Sequence, residues 1–168
     1  MKKVIIIILL IIYSSSYSQT KEETEKWIIE KYNQYESPVN KFRELIFQNG
    51  YIYYLWSWNL RENEFGGGYW TQLPIKEIKQ IEIIHEKFDV NDHEGWDKII
   101  LHFEKNKSKT KDGKNTENNN YEISEQTTIE IKLSSNFIKD GLKTRMENAL
   151  LYLIKSYGGK ATLKKEPF

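Results

Sequence analysis

Three histidines and a group of nearby acids are the residues whose types come closest to a chemical site. His85 and His102 fall in two predicted strands, and His93 lies in the loop between them. Imidazole nitrogens together with a carboxylate form a common zinc site, so His85, His93 and His102 are the candidate metal ligands. No two histidines have the four-residue spacing of a helical zinc motif. Histidines that stand singly on the surface are therefore the favoured interpretation, and no cofactor is predicted.

The loop that holds His93 could also be interpreted as a calcium-binding site. It reads DVNDHEG over residues 89–95. An EF-hand loop that began at Asp89 would need glycine at its sixth position and glutamate at its twelfth, where Glu94 and Ile100 stand. That register fails. A weak site of another geometry, made by Asp89, Asp92 and Glu94, stays open beside the simpler interpretation that the aspartates form turns.

The remaining catalytic patterns are missing or unspecific. The chain has no cysteine and no Gly-x-Ser-x-Gly motif, so it lacks a thiol nucleophile and a nucleophile elbow. Residues 66–68 are three glycines, but a phosphate cradle needs a helix after it, and the strand-like residues 69–71 follow instead. No pair of acids is marked out for glycoside cleavage. A small metal-dependent or hydrolytic enzyme that uses His85, His93 and His102 is kept as the alternative function.

The aromatic side chains are the stronger candidates for a binding surface. Residues 51–60 read YIYYLWSWNL, and strand alternation places Tyr51 and Tyr53 on one face and Tyr54 and Trp56 on the other. An open sheet buries one face fully, and the sequence does not decide which face that is. Flat rings on the exposed face would contact a protein or a glycan. The candidate contact residues are Tyr51, Tyr53, Tyr54, Trp56, Trp58 and Trp70.

The elements that position these residues begin with a helix over residues 21–36. Thr20 and Glu23 have the spacing of a capping box, and Pro38 ends the helix. Asn49-Gly50 is a strong hairpin signal and predicts a type I′ turn between strands 42–48 and 51–59.

Further strands are predicted up to residue 133, all within 42–133. Alternating apolar residues indicate strands at 80–86, 96–104 and 127–133, with the isoleucines and leucines facing inward. Residues 61–68 are predicted to form a turn. Residues 105–120 hold no apolar side chain, so they are predicted to form a polar loop without a strand.

The last predicted element is a helix over residues 138–157. Its apolar stripe recurs at spacings of three and four, which predicts a helix that covers a sheet. Gly158 and Gly159 are placed to end it. The stripe consists of Leu142, Met146, Ala149, Leu150, Leu153 and Tyr157.

The first eighteen residues have the pattern of a secretory signal peptide. Lys2 and Lys3 precede an apolar run over residues 4–12, and Ser16-x-Ser18 fits a cleavage site. The run is too short to cross a bilayer, which needs about 20 residues. Cleavage is favoured over a retained N-terminal anchor. The protein is thus expected to be periplasmic or secreted, with no stable membrane span, and residues 19–168 form a single domain.

The amino-acid composition limits the kinds of attachment and of partner further. Without cysteine the protein has no disulfides and no lipid attached at a cleavage-site cysteine, so it is not a lipoprotein. The chain has 25 basic and 24 acidic side chains, and removal of Lys2 and Lys3 with the signal peptide leaves 23 and 24, a formal charge of −1. Such a balance does not favour nucleic acid as a partner.

Two stretches resemble known proteins. Residues 73–83, LPIKEIKQIEI, resemble the element of PH-like and GRAM-like domains that leads through a proline into a strand. Residues 149–160, ALLYLIKSYGGK, resemble the tails of small exported proteins from Bacteroidetes-type bacteria. The resemblance implies a PH-like open barrel or roll and an exported protein, and it assigns no catalytic residue. The basic signature of phosphoinositide-binding PH domains does not occur between Phe42 and Tyr54.

Together these observations predict an α+β domain with an N-terminal helix, about seven short antiparallel strands and a C-terminal amphipathic helix that caps them. The favoured function is a non-catalytic binding or protein-interaction module, with an unidentified protein or glycan bound by exposed aromatic residues.

Overall fold

A computed structural model describes residues 20–36, 43–61, 64–87, 95–113 and 120–164. The side chains of residues 58–65 lie outside this description, as do the predicted signal peptide, residues 1–18, and the loop 89–94 with His93. The elements follow one another as α1 (Lys21–Gln34), β1 (Glu44–Gln48), β2 (Tyr51–Arg61), β3 (Glu64–Pro74), a 3-10 turn (Ile75–Glu77), β4 (Gln80–Glu86), β5 (Trp96–His102), β6 (Ser108–Asp112), β7 (Glu122–Ser124), β8 (Thr128–Leu133), α2 (Asn136–Lys139), α3 (Lys143–Ser156) and β9 (Thr162–Leu163).

Helix α1 begins at the predicted capping box. The Thr20 hydroxyl accepts a hydrogen bond from the Glu23 backbone N–H at 3.1 Å, and the Glu23 carboxylate accepts one from the Thr20 N–H at 2.8 Å. These two bonds satisfy donors that the first helical turn leaves open. The helix buries Thr24, Ile28 and Tyr32 and ends at residue 34, two residues before the predicted end.

The first sheet has five strands in the order β1-β2-β3-β6-β7. Strands β1 and β2 meet at Asn49 and Gly50, whose φ angles are 51° and 80°. Positive φ at both positions is what a type I′ turn requires, because its twist matches that of the flanking strands. The hairpin predicted at Asn49-Gly50 is therefore present.

Two segments that the sequence predicted as turn or loop are strands instead. Residues 64–68, with two of their three glycines paired to β2, belong to β3, so the predicted turn over 61–68 extends too far along the chain, and its residues 62–63 lie outside the described residues. A side chain at Gly68 would meet the Trp56 carbonyl oxygen at 2.3 Å, so glycine allows the close approach of the two strands. Residues 108–112, predicted as loop, form β6 and pair with β3.

The second sheet has the order β8-β5-β4-β9. Strands β8, β5 and β4 are antiparallel neighbours, and the two-residue β9 pairs with β4 in parallel. The predicted inward side chains of the three long strands are buried, but β5 departs from the predicted alternation because Lys98 and Ile100 on its opposite face are buried as well. The inward side chains are Ile81, Ile83, Ile99, Leu101, Ile129, Ile131 and Leu133.

The predicted C-terminal helix over 138–157 is two helices. Gly141, with φ at 75°, stands between α2 and α3, and the chain turns there from one helix into the next. Helix α3 buries Met146, Leu150 and Leu153 of the predicted stripe. Its end is a Schellman motif, because the Gly158 N–H donates to Lys155 O at 3.0 Å and the Gly159 N–H to Ile154 O at 2.9 Å.

The fold is α+β. The described residues form three helices and two sheets with nine strands in total, where about seven strands were predicted. The two sheets do not close into a barrel. One apolar core joins the inner faces of both sheets to α1, α2 and α3. No helix in the described part of the chain is both long and apolar enough to cross a bilayer.

The fold predicts a large stability loss when the buried face of α3 is truncated. Met146 has no exposed surface, so Met146→Ala leaves a cavity and should lower the free energy of unfolding by about 2–5 kcal/mol. Asn148→Ala, at an exposed position of the same helix, should change it by less than about 0.5 kcal/mol. Urea unfolding followed by circular dichroism measures both. Equal losses would contradict the assignment of this helix face to the core.

Candidate functional site

The outward face of the five-stranded sheet carries an aromatic surface. The ladder pairs Tyr53 with Gln72 and Leu55 with Trp70, and alternation turns all four side chains away from the core. Tyr51 is 36% exposed, and Tyr53 and Trp70 are half-buried. We call this surface the outer aromatic face; it consists of Glu44, Ile46, Gln48, Tyr51, Tyr53, Leu55, Trp70, Gln72, Lys109, Lys111, Tyr121 and Ile123.

The rings on this face are held at fixed angles by their neighbours. The Tyr53 ring lies 6.2 Å from that of Tyr51 and 6.3 Å from that of Tyr121, tilted by 44° and 65°. The Tyr53 hydroxyl accepts a hydrogen bond from Gln72 Nε2 at 2.8 Å. The Lys111 ammonium lies 5.1 Å from the centre of the Tyr121 ring, within cation–π range. These contacts orient the rings before any partner binds.

A shallow concavity of about 600 Å³ lies at the centre of the outer aromatic face. Tyr53, Trp70 and Tyr121 supply its rings, Lys109 and Lys111 its charge, and no carboxylate lines it. Burial, and then the charge that Tyr53 carries when ionised, raise the pKa of the Tyr121 hydroxyl. That hydroxyl therefore stays protonated and can donate a hydrogen bond to a partner at neutral pH.

The opposite face of the same strands lines a second site, which we call the inner cleft. Its cavity of about 450 Å³ lies between Tyr54, Trp56, Tyr69 and Thr71 of the first sheet and residues 125–130 at the start of β8. The Trp56 and Tyr69 rings stack with their centres 5.4 Å apart. A neighbouring cavity of about 510 Å³ shares Tyr69 and Gln126 with the first, and the inner cleft comprises these two adjacent cavities.

One polar atom at the inner cleft, Gln126 Oε1, is buried without a hydrogen-bond partner among the described residues. The Tyr54 hydroxyl is buried as well, beside the Lys132 backbone N–H. Burial raises the pKa of Tyr54 to about 12, and the nearby Arg43 charge and the Lys132 backbone N–H offset part of that rise. Buried polar groups almost always have partners in native proteins, so Gln126 Oε1 marks a place where a hydrogen-bond donor would fit.

The structure divides the predicted aromatic contact residues between two surfaces. Tyr51, Tyr53 and Trp70 lie on the outer aromatic face. Tyr54, only 2% exposed, belongs to the core and lines the inner cleft with the half-buried Trp56. Trp58 lies in β2, and its side chain is outside the described residues.

The two described histidines do not come together. In the β4–β5 ladder His85 stands opposite Asp97 and His102 opposite Gln80, so they occupy opposite ends of the pair. His93 lies outside the described residues, as do Asp89, Asp92 and Glu94 of the predicted calcium alternative. Among the residues that the structure describes, no group of three or more histidines and acids is placed to hold a metal ion.

His102 belongs instead to a small charge cluster at Glu82. The Glu82 carboxylate accepts hydrogen bonds from His102 Nε2 at 3.0 Å and from Lys164 Nζ at 2.8 Å. Burial alone would raise the pKa of Glu82, but these two hydrogen bonds outweigh it and lower the pKa. Since Lys164 follows β9 directly, the cluster joins the end of the described chain to the second sheet.

His85 belongs to a buried hydrogen-bond group that the sequence did not reveal. The Asp97 carboxylate has no exposed surface; it lies 2.8 Å from His85 Nδ1 and accepts the Ile138 backbone N–H at 2.7 Å. It thereby satisfies a donor in the first turn of α2, and α2 is tied to the start of β5. Asp97 is a structural residue, and only its pairing across two strands and one helix makes it recognisable.

The surface residues that the sequence missed come from the polar segment around β6. Lys109 and Lys111 alternate with Ser108, Thr110 and Asp112, which is the period of a strand, but the pattern holds no apolar residue. Ser108 is fully buried on the inner side, while both lysines face outward. Tyr121, just before β7, completes the outer aromatic face.

Comparisons with known proteins give no name to this arrangement. No protein-family model, curated protein or solved structure matches the chain significantly. The two surfaces and the chemistry of the residues that line them are therefore the features that indicate a function.

The buried Asp97 carboxylate predicts a stability difference between two substitutions. Asp97→Ala leaves the Ile138 N–H without its acceptor in a dry site, so we expect a loss of about 1–3 kcal/mol in the free energy of unfolding. Asp97→Asn keeps one carbonyl oxygen for that N–H and should lose less. Urea unfolding measures both, and equal losses would contradict the hydrogen-bond explanation.

The raised pKa of Tyr54 predicts a loss of stability at high pH. The unfolded tyrosine ionises near pH 10 and the folded one near 12, so Tyr54 contributes its full stabilisation below about pH 10 and loses it as the pH rises through 12. Tyr54→Phe should reduce that fall by up to about 2–3 kcal/mol. Tyr51→Phe, at an exposed position of the same strand, is the matched control. A fall of the same size in Tyr54→Phe and the parent would show that this hydroxyl is not the cause.

Proposed function

We propose that the protein is a non-catalytic binding module that holds a partner protein on its outer aromatic face. The observation that carries the proposal is the set of three rings, Tyr53, Trp70 and Tyr121, around a concavity that no described residue fills. Protein interfaces are enriched in tyrosine and tryptophan at their centres, because these rings bury much area at a small entropic cost.

The charges around the rings support a partner with an acidic rim. Lys109 and Lys111 line the concavity, and no carboxylate does. The aliphatic side chains nearby, Ile46 and the 68% exposed Ile123, favour a protein over a glycan, since sugars pair rings with hydrogen-bonding groups and need no exposed aliphatic chains. An acidic partner would also gain association rate from the lysines.

We also propose that the protein is exported from the cytoplasm and that its fold is a PH-like roll. The pattern of residues 1–18 supports export to the periplasm or the medium, with the signal peptide removed. A PH-like roll is supported by the order of the elements, in which strands β1 to β8 precede the covering helix α3. The last strand before that helix, β8, lies at the edge of the second sheet.

The proposal is tested by cross-linking followed by affinity measurement. A photoreactive phenylalanine analogue at position 53 should cross-link a partner protein in the cells that make this protein. The same analogue at Tyr152, exposed on α3, is the matched control and should give no such product. With the purified partner, Trp70→Ala should weaken binding by about tenfold or more and leave the melting temperature unchanged.

Three results would contradict this function. A cross-linked product of the same kind from positions 53 and 152 would show that the outer aromatic face is not specific. A parent protein that binds glycans on an array and yields no protein adduct would assign the face to sugars. A large drop in melting temperature for Trp70→Ala would assign that ring to the core.

A further inference from the structure

Strand β8 has one edge that no described strand covers. It pairs with β5 on one side and ends the order of the second sheet on the other. The Phe103 N–H donates to Thr127 O at 2.9 Å, so residues 127, 129, 131 and 133 direct their backbone groups toward β5. In an antiparallel ladder the residues between them direct theirs the opposite way. The backbone groups of Thr128 and Glu130 therefore point to the open edge.

This edge already accepts a short addition at its far end. Glu36, just after α1, forms an antiparallel bridge with Leu133, and the Ser134 N–H donates to Tyr35 O at 2.7 Å. Glu36 is the last described residue before the gap at 37–42, and among the described residues the bridge is isolated. No described residue pairs with the edge at Thr128 or Glu130.

The open edge forms one wall of the inner cleft. Thr128 and Glu130 line the cavity of about 450 Å³ opposite Trp56 and Tyr69. A strand added to this edge would turn every second side chain toward those rings, because side chains alternate between the two faces of a strand. Strand addition takes its affinity from backbone hydrogen bonds and its specificity from pockets for alternate side chains.

A buried polar atom of the cleft also lacks a partner among the described residues. Gln126 Oε1 makes no hydrogen bond, and Gln126 lines both cavities. An unmade hydrogen bond in a buried site costs about 1–3 kcal/mol, so a ligand that supplied a donor there would be favoured.

The charge of the cleft selects among extended ligands. Four acidic residues and one basic residue line its two cavities, and the ammonium of that basic residue, Lys111, lies on the other side of the sheet over the Tyr121 ring. Two of the carboxylates are paired with lysines, because Glu130 lies 3.1 Å from Lys98 Nζ and Glu125 lies 3.6 Å from Lys105 Nζ. A cationic segment complements this lining, and an acidic one is repelled. The lining acids are Asp112, Glu122, Glu125 and Glu130, and the base is Lys111.

We infer that the inner cleft and the open edge of β8 form a second binding site, which takes an extended cationic peptide as an added strand. The site lies on the opposite side of the first sheet from the outer aromatic face and does not depend on the function proposed for that face.

The first test uses the free protein alone. Amide hydrogen exchange followed by NMR should show the Thr128 and Glu130 amides exchanging at least about 100-fold faster than those of Ile129 and Ile131, which are bonded to β5. Equal protection of all four amides would show that the edge is covered and would overturn the inference.

The second test uses synthetic peptides of alternating lysine and valine, eight residues long and blocked at both ends. Two isomers carry N-methyl groups on alternate residues, one set on each edge of the strand. The unmethylated peptide should perturb the Thr128 and Glu130 amides, and at least one isomer, but not both equally, should lose at least about tenfold in affinity. Replacing lysine by glutamate should cost a similar factor. No binding up to about 1 mM, equal binding of both isomers, or equal binding of the acidic peptide would each overturn the inference.

The third test removes one hydrogen-bond donor from the edge. Thr128→Pro eliminates the N–H that points away from β5, and proline is tolerated on the open side of an edge strand. Thr128→Ala keeps the N–H and is the matched control. The proline variant should lose peptide affinity about tenfold or more and the alanine variant should not; equal affinities would overturn the inference. If the proline variant does not fold, the two methylated isomers still decide the question on the parent protein.

A second copy of the chain is the competing occupant, since open edges also pair with each other. Light scattering should give a monomer across the concentrations used for binding. A dimer that Thr128→Pro dissociates would assign the edge to self-association and overturn the peptide site.

Discussion

The alternation of side chains along the β2–β3 ladder is the constraint on which the rest of the structure depends. Once Ile52 pairs with Leu73 on the inner face, Tyr53 with Gln72 must face outward. A shift by one residue would expose the two buried aliphatic chains and bury a glutamine. The register of β2 and β3 thus determines both the core and the outer aromatic face. The Asn49-Gly50 turn determines the register of the β1–β2 hairpin.

Connections between the sheets decide where the inner face stays accessible. The chain leaves the first sheet at β7 and enters the second at β8 through residues 125–127, which line the inner cleft. Elsewhere the inner faces are covered by α1 and α3. The aromatic pair Trp56 and Tyr69 lies at this uncovered end, which is why its rings line a cleft while Ile52, farther along the strand, is in the core.

Local signals in the sequence predicted the elements whose causes are local. The capping box at Thr20, the Asn49-Gly50 turn and the alternating isoleucines of β8 each act within a few residues, and each is present in the structure. Strand β6 was missed because its side chains are all polar, and its stability comes from pairing with β3 about 40 positions earlier in the chain. The sequence also did not decide which face of β2 is buried, because aromatic residues lie on both of its faces.

The polar alternation of β6 has a consequence for both proposed sites. Lys109 faces outward with its neighbours on the outer aromatic face, whereas Thr110, Asp112 and Glu122 line the inner side. A single sheet therefore has a basic aromatic face on one side and an acidic cleft on the other, with only the backbone of its strands between the basic and the acidic side chains. A ligand of one charge sign complements only one of these surfaces. The surfaces use opposite faces of the same sheet and share only Lys111, so an acidic partner and a cationic peptide can occupy the protein together.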